Sequence, residues 1–312
     1  MSVTLDRFCD RLMGEPSNRR KLEAAFVAEE FVRFFGVSSR PTLEEIKVLL
    51  EEIGAGTVVA RHLPGGLRGA HIRMGDGGYV IHHIPDDWRG ATEHTLMHET
   101  YEIIYETLYG SYEDPATARR VCREANRFAA AVLMPAAKFE EFAVATGLDI
   151  LSLQRRFQCS YASVALRLGE VMSRRPLLAV LYERRENGDP WTWCPAPEAS
   201  DFRASVVVRT PGFEARDSRM LCGARGRMPR RGNSPHLGSM AARVALAGGS
   251  GYAEKEPAPG GGGGGDYAMV VRPVTWWGRV VKVALVAVPY SDRSVLSPQL
   301  TAIPASRRGP TR

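Results

Sequence analysis

The sequence predicts an α+β chain of two domains: a helical one that holds a small antiparallel sheet, then one with a sheet core. Three observations carry this. The chain has 312 residues, more than one hydrophobic core usually organises. Apolar spacing alternates between the three- and four-residue repeat of helices and short β-prone runs. After Arg174-Arg175-Pro176 the texture changes and strand-like runs dominate.

The elements follow in order. Residues 20–36, RKLEAAFVAEEFVRFFG, read as an amphipathic helix. Pro41 opens a second helix, where Thr42 and Glu45 fit a capping box and Gly54 suits the stop. From Thr57 to Ile84 come three β-prone runs, TVVARHL, GAHIRM and GYVIHHI, with turns at PGGL and GDGG. They predict the small antiparallel sheet. Two helices follow at about 92–109 and 117–133, the second ended by Pro135. Residues 146–175 contain TGLDILSLQRRFQCSYASVALRL, built like a helix-turn-helix with its turn near Cys159-Ser160. Any pair of packed helices has the same periodicity. Strand-like runs LLAVLYE, ASVVVRT, YAMVVRPVTWW and RVVKVALVAVPY predict an α/β domain over 176–297. The Gly260–Gly265 run reads as a flexible insertion, and 298–312 as a disordered tail.

Composition narrows the function classes. The sequence has no stretch of the roughly 20 apolar residues that a membrane-spanning helix needs. The N-terminus is acidic and has no apolar signal core, so a cytoplasmic protein without membrane association is expected. Five cysteines, none in a C-x-x-C pair, argue against a disulfide framework and a cysteine-built zinc site. Charge is uneven: about −4 up to Met172 and about +10 from Ser173 onward. Arg225, Arg227, Arg230 and Arg231 share one Gly-containing stretch. It suits a solvated loop, or a contact with nucleic acid or an acidic protein.

Chemistry concentrates in TLMHETYEIIYE. His98 and Glu102 stand four residues apart on a predicted helix, hence on one face. In H-E-x-x-H zinc peptidases two histidines at this spacing grip the metal, and the glutamate after the first acts as general base. Here Glu102 stands at the second position, and a carboxylate is an accepted zinc ligand. The next helix offers a third ligand. Glu124 lies on the apolar stripe of Val121, Ala125, Phe128 and Val132. A carboxylate facing a core needs a cation, a donor or a metal.

These motifs resemble the ImmA/IrrE metallopeptidases over roughly residues 20–172. The family's T-L-x-H-E-x-x-H is matched by Thr95-Leu96-Met97-His98-Glu99-Thr100-Tyr101-Glu102. Its E-x-x-A-N-x-F-A-x-x-L-L-M-P signature is matched by Glu124-Ala125-Asn126-Arg127-Phe128-Ala129-Ala130-Ala131-Val132-Leu133-Met134-Pro135, read from the ligand glutamate onward. The resemblance implies a zincin-like peptidase domain over 1–145, a helix-turn-helix-like segment over 146–175 and a GAF-like sensor domain over 176–297. It implies Glu99 as base, and His98, Glu102 and Glu124 as ligands of zinc or, with so much oxygen, manganese. Its implied function is endopeptidase cleavage of a helix-turn-helix repressor in a stress or mobile-element response, with a DNA contact as a further expectation.

Glu102 departs from the family pattern. Two carboxylates cancel a divalent ion's charge, so its bound water is acidified less and attack is slower. The alternative is therefore a catalytically weak or inactive relative that acts as a transcriptional regulator or sensor. Around the site, His94 offers an alternative ligand or outer support. Tyr101 and Tyr105 offer packing or an oxyanion donor, and Asn126 support between helices. Of His82 and His83, strand alternation turns at least one away.

Overall fold

A computed structural model describes residues 4–14, 23–75, 77–85, 87–185, 198–213, 229–236, 238–255 and 267–302. The chain divides into two compact units. One comprises residues 1–138 with 157–160, the other 139–156 with 161–312.

The first unit opens with α1 (Leu5–Gly14), which the sequence reading did not anticipate. Next come α2 (Ala24–Phe35) and α3 (Leu43–Glu52). The Thr42–Glu45 capping box forms as expected, with Glu45 N–H donating to Thr42 Oγ1 and Thr42 N–H to Glu45 Oε2. Strands β1 (Thr57–Ala60), β2 (Gly69–Arg73) and β3 (Tyr79–His83) form a sheet of order β1-β3-β2. β2 is antiparallel to β3, but β1 is parallel to it. The all-antiparallel expectation is corrected here: the excursion through residues 61–68 and β2 returns the chain to β3 in the direction of β1. Two long helices complete the unit, α4 (Arg89–Tyr109) and α5 (Pro115–Leu133). Their core is aromatic. Phe128 of α5 lies 5.4 Å from Phe31 of α2 and 5.4 Å from Tyr101 of α4, centroid to centroid.

The second unit gathers α6 (Ala136–Ala145), most of α7 (Ile150–Phe157) and α8 (Tyr161–Val171) around a five-stranded antiparallel sheet. Its strands are β4 (Leu178–Arg184), β5 (Phe202–Arg209), β6 (Gly251–Lys255), β7 (Tyr267–Trp276) and β8 (Arg279–Pro289), in the order β5-β4-β8-β7-β6. β4 and β8 lie inside the sheet and are buried along most of their length. That is why they read as continuous apolar runs rather than alternating ones. One face packs Val180, Tyr182, Phe202, Met269 and Leu285 against α9 (Met240–Ala247).

Helix α8 meets the sheet at Gly169, where an added Cβ would lie 2.0 Å from Val208 Cγ1. The core of this unit therefore runs across residue 175, and the compact units part at Lys138/Phe139 instead. A DNA-reading helix needs a free face rich in donors. The exposed positions of α8 are Leu166 and Glu170, one apolar and one acidic, which suits packing better than a phosphate backbone. Residues 297–302, partly within the expected disordered tail, form helix α10 (Ser297–Ala302), where Gln299 Nε2 donates to Gly147 O.

Several expectations lie outside the described residues: the Gly260–Gly265 run, Arg225, Arg227, Cys194 and Cys222. Cys9, Cys122 and Cys159 are free thiols. Among the described residues, no helix is long and apolar enough to cross a membrane.

Candidate metal centre

The site lies where strand β2 presses against helix α4. Gly69 and His71 share a strand face by alternation, and both meet α4. On α4, Glu99, Glu102 and Glu106 fall three and four residues apart, so one stripe presents three carboxylates. His71 answers them with both ring nitrogens. Nδ1 lies 2.9 Å from Glu99 Oε2 and 3.8 Å from Glu102 Oε2, while Nε2 lies 3.3 Å from Glu106 Oε1. Burial alone would lower the His71 pKa, but the hydrogen bonds and charges of Glu99 and Glu106 outweigh it and raise it.

His98 and Glu102 meet as their helical spacing requires, with Nε2 and Oε1 3.2 Å apart. Here too burial is outweighed, and the imidazole is raised by the hydrogen bond and charge of Glu102. Glu102 is held low despite its burial, by His98, then His71, then a hydrogen bond from the Tyr112 hydroxyl. Tyr112 was not singled out by the sequence. It lies in the loop after α4, and nothing in its spacing announces the contact.

Helix α5 reaches this cluster with a different residue than expected. Asn126 Oδ1 lies 3.2 Å from His98 Nδ1, so the Asn126 face of α5 is turned to the site. Cys122, one turn earlier, shares that face. Its thiol is pushed up by partial burial and then by the charges of Glu102 and Glu99. Glu124 is two residues from each, roughly 160° around the helix, and faces α2. There Glu124 Oε2 accepts from Ala24 N–H at 3.4 Å and Oε1 from Arg127 Nη1 at 2.8 Å. Its surroundings explain the placement. The flanking Glu23 makes no side-chain cap at the start of α2, so the carboxylate of Glu124 serves that positive helix end from α5. A signal for Cys122 stood in the sequence. Counting E-x-x-A-N back from Ala125 and Asn126 puts the family's glutamate at position 122, where this chain has cysteine.

The supporting residues divide. Asn126 joins α5 to α4 through His98. Burial pushes His94 down to about 4, helped by the charges of His98 and Arg68 and opposed by a hydrogen bond with the Asn126 backbone; it is a half-buried histidine beside His98. Tyr101 packs on Phe128, and burial followed by the charge of Glu124 raises its phenol. Tyr105 accepts from Arg120 Nη2 at 2.8 Å. By register His82 faces away from His71 and His83 shares its face, with His83 Nδ1 on Ile84 O at 2.9 Å.

A divalent ion fits part of the expected ligand set. The 3.2 Å between His98 Nε2 and Glu102 Oε1 suits two neighbouring ligands of one ion. The third place does not fit, since Glu124 is turned to α2. Among the described residues, the His, Cys and carboxylate ligand atoms that converge within 4.8 Å of one another belong to His71, Glu99 and Glu102.

Gly69 permits this close approach. A Cβ there would lie 2.3 Å from Thr95 Cγ2 and 2.7 Å from Glu99 Oε1. Gly69→Ala should therefore push β2 off α4 and cost about 1–3 kcal/mol, as overpacking does. Urea denaturation measures it, and an unchanged midpoint would show that the strand has room to yield.

With this geometry in hand, the comparisons with known proteins can be placed. Residues 45–169 match the model of the IrrE N-terminal-like domain, peptidase M78. No curated protein matches the sequence. Among solved structures, a Mycobacterium tuberculosis transcriptional regulator is similar in fold, with a TM-score of 0.58 at 14% identity. The likeness covers 97% of this chain and 87% of that one. The motifs on α4 and α5, the strand-to-helix cleft and the family match agree: over residues 45–169 the chain carries an IrrE N-terminal-like domain of the M78 peptidase family.

Proposed function

We propose that this chain is a regulatory protein built on a metallopeptidase-type domain whose hydrolytic centre has weakened. One observation carries the reading. Glu99, in the position of the family's base, is held at 2.9 Å by His71. A general base must be free to meet a water and take its proton, and a carboxylate oxygen already engaged by a neighbouring imidazole is less free to do so. Two substitutions point the same way. Glu102 makes a bound ion less positive than a second histidine would, and Cys122 stands where the family's third carboxylate belongs. The metal, when bound in such a domain, acidifies a water and polarises the peptide carbonyl.

The second unit supports a regulatory role. Its antiparallel sheet with a helix on one face supports reading it as a sensor domain of the GAF-like kind, and the similar solved structure is a transcriptional regulator. The expected setting is the cytoplasm, with a protein partner of the helix-turn-helix repressor type.

A second reading has its own support. The close His98–Glu102 pair keeps two of three ligand positions of an endopeptidase that cuts such repressors, with Glu99 as base. Quenched fluorescent peptides of random sequence separate the two. With zinc or manganese supplied, the natural chain should cleave no faster than its Glu99→Gln variant. Metal-dependent cleavage that Glu99→Gln abolishes would establish the peptidase reading instead.

A further inference from the structure

We infer that the metal site has moved one step along α4, so that a divalent cation of the manganese type is held by His71, Glu99 and Glu102. This deepens the proposed function, because it makes Glu99 a ligand rather than a base.

Ligand spacing comes first. Two ligands on opposite sides of one ion stand about 4 Å apart, twice a bond of about 2.1 Å. The spacings from His71 Nδ1 to Glu99 Oε2 and to Glu102 Oε2, 2.9 and 3.8 Å, both lie within that span. One ion can touch all three after small side-chain movements.

The orientation of His71 is the second argument. A metal-binding histidine characteristically donates its other ring N–H to a carboxylate, which fixes the tautomer and leaves the first nitrogen free to ligate. Glu106 Oε1 at 3.3 Å from Nε2 is such a carboxylate, and Nδ1 is the nitrogen turned to Glu99 and Glu102. The chain has therefore built the outer support of a ligand histidine on a residue outside the helix motif.

Charge is the third. Glu99, Glu102 and Glu106 crowd one helix face, and their side chains are only 8%, 16% and 21% exposed. A divalent cation relieves their repulsion. One imidazole and two carboxylates are an oxygen-rich set, which favours manganese over a thiolate- or imidazole-loving ion. Gly69 completes the site by letting β2 bring His71 within reach.

Equilibrium dialysis of the full chain against manganese chloride, with metal analysis of the protein, tests this. The natural chain should hold about one ion. His71→Ala should raise the dissociation constant by more than about tenfold, and Glu106→Gln by about tenfold through loss of the outer carboxylate. His98→Ala, which removes a partner of Glu102 but no ligand, should raise it by less than His71→Ala does. Circular dichroism shows whether each variant is folded, and Glu106→Gln keeps the test decisive if His71→Ala is not. Loss of binding in His98→Ala with retention in Glu106→Gln would return the ion to the family position and overturn the inference. Absence of binding by the natural chain would overturn it as well. Neither outcome bears on peptide cleavage, which tests the proposed function separately.

Discussion

Restoring the family's residues at two positions, Glu102→His with Cys122→Glu, should turn the natural chain into a better zinc binder and a measurable peptidase. His98 would then share an ion with a histidine one turn on, at unchanged helical spacing. The new glutamate at 122 would project from the α5 face that already meets His98 through Asn126. The ion loses one carboxylate from α4 and gains one from α5, and imidazole draws the preference toward zinc. The same change frees Glu99 from a metal-ligand role. The expected gain is at least about tenfold in zinc affinity, and about a hundredfold or more in hydrolysis of a peptide pool over the natural chain. Dialysis and fluorescence assays read the two effects. If zinc affinity does not rise, positions 102 and 122 do not face one ion, and the phase assigned to α5 is wrong. If affinity rises without hydrolysis, the hold of His71 on Glu99 is enough to silence the base, and His71→Ala in that background should release it.

The second large effect is structural. Phe128→Ala should destabilise the first unit by about 3–5 kcal/mol, the range for deleting a large buried aromatic. Phe128 is fully buried between Phe31 and Tyr101. It joins the three helices that carry the capped start of α2, the metal-facing stripe of α4 and the Cys122–Asn126 face of α5. Its removal should lower the urea midpoint of the first unit and leave the unfolding of the second unit in place. A loss under about 1 kcal/mol would mean that the helices close over the gap.

Much of this was legible in one dimension. Helical periodicity places α4 and α5 to within a few residues. The capping box at Thr42 and Glu45 is a local exchange of hydrogen bonds that needs no tertiary partner. The four-residue spacing of His98 and Glu102 fixes their meeting at one turn of helix, wherever the helix goes. The family signature is also linear, and counted correctly it names position 122.

What stayed hidden depends on contacts far apart in sequence. An apolar stripe told the reader that Glu124 faces packing, but not which neighbour it packs against. Its carboxylate answered the uncapped start of α2, 100 residues away. The helix-like pattern of 161–171 was real, yet nothing in it announced the packing against β5 through Gly169 and Val208. His71 looked like one more strand residue. Only the register of β2 against β3, and the missing Cβ of Gly69, brought it to Glu99. Local sequence determined which elements form and which side chains share each face. Tertiary packing decided which faces meet, because the burial that selects a partner is settled between segments that the sequence does not place side by side.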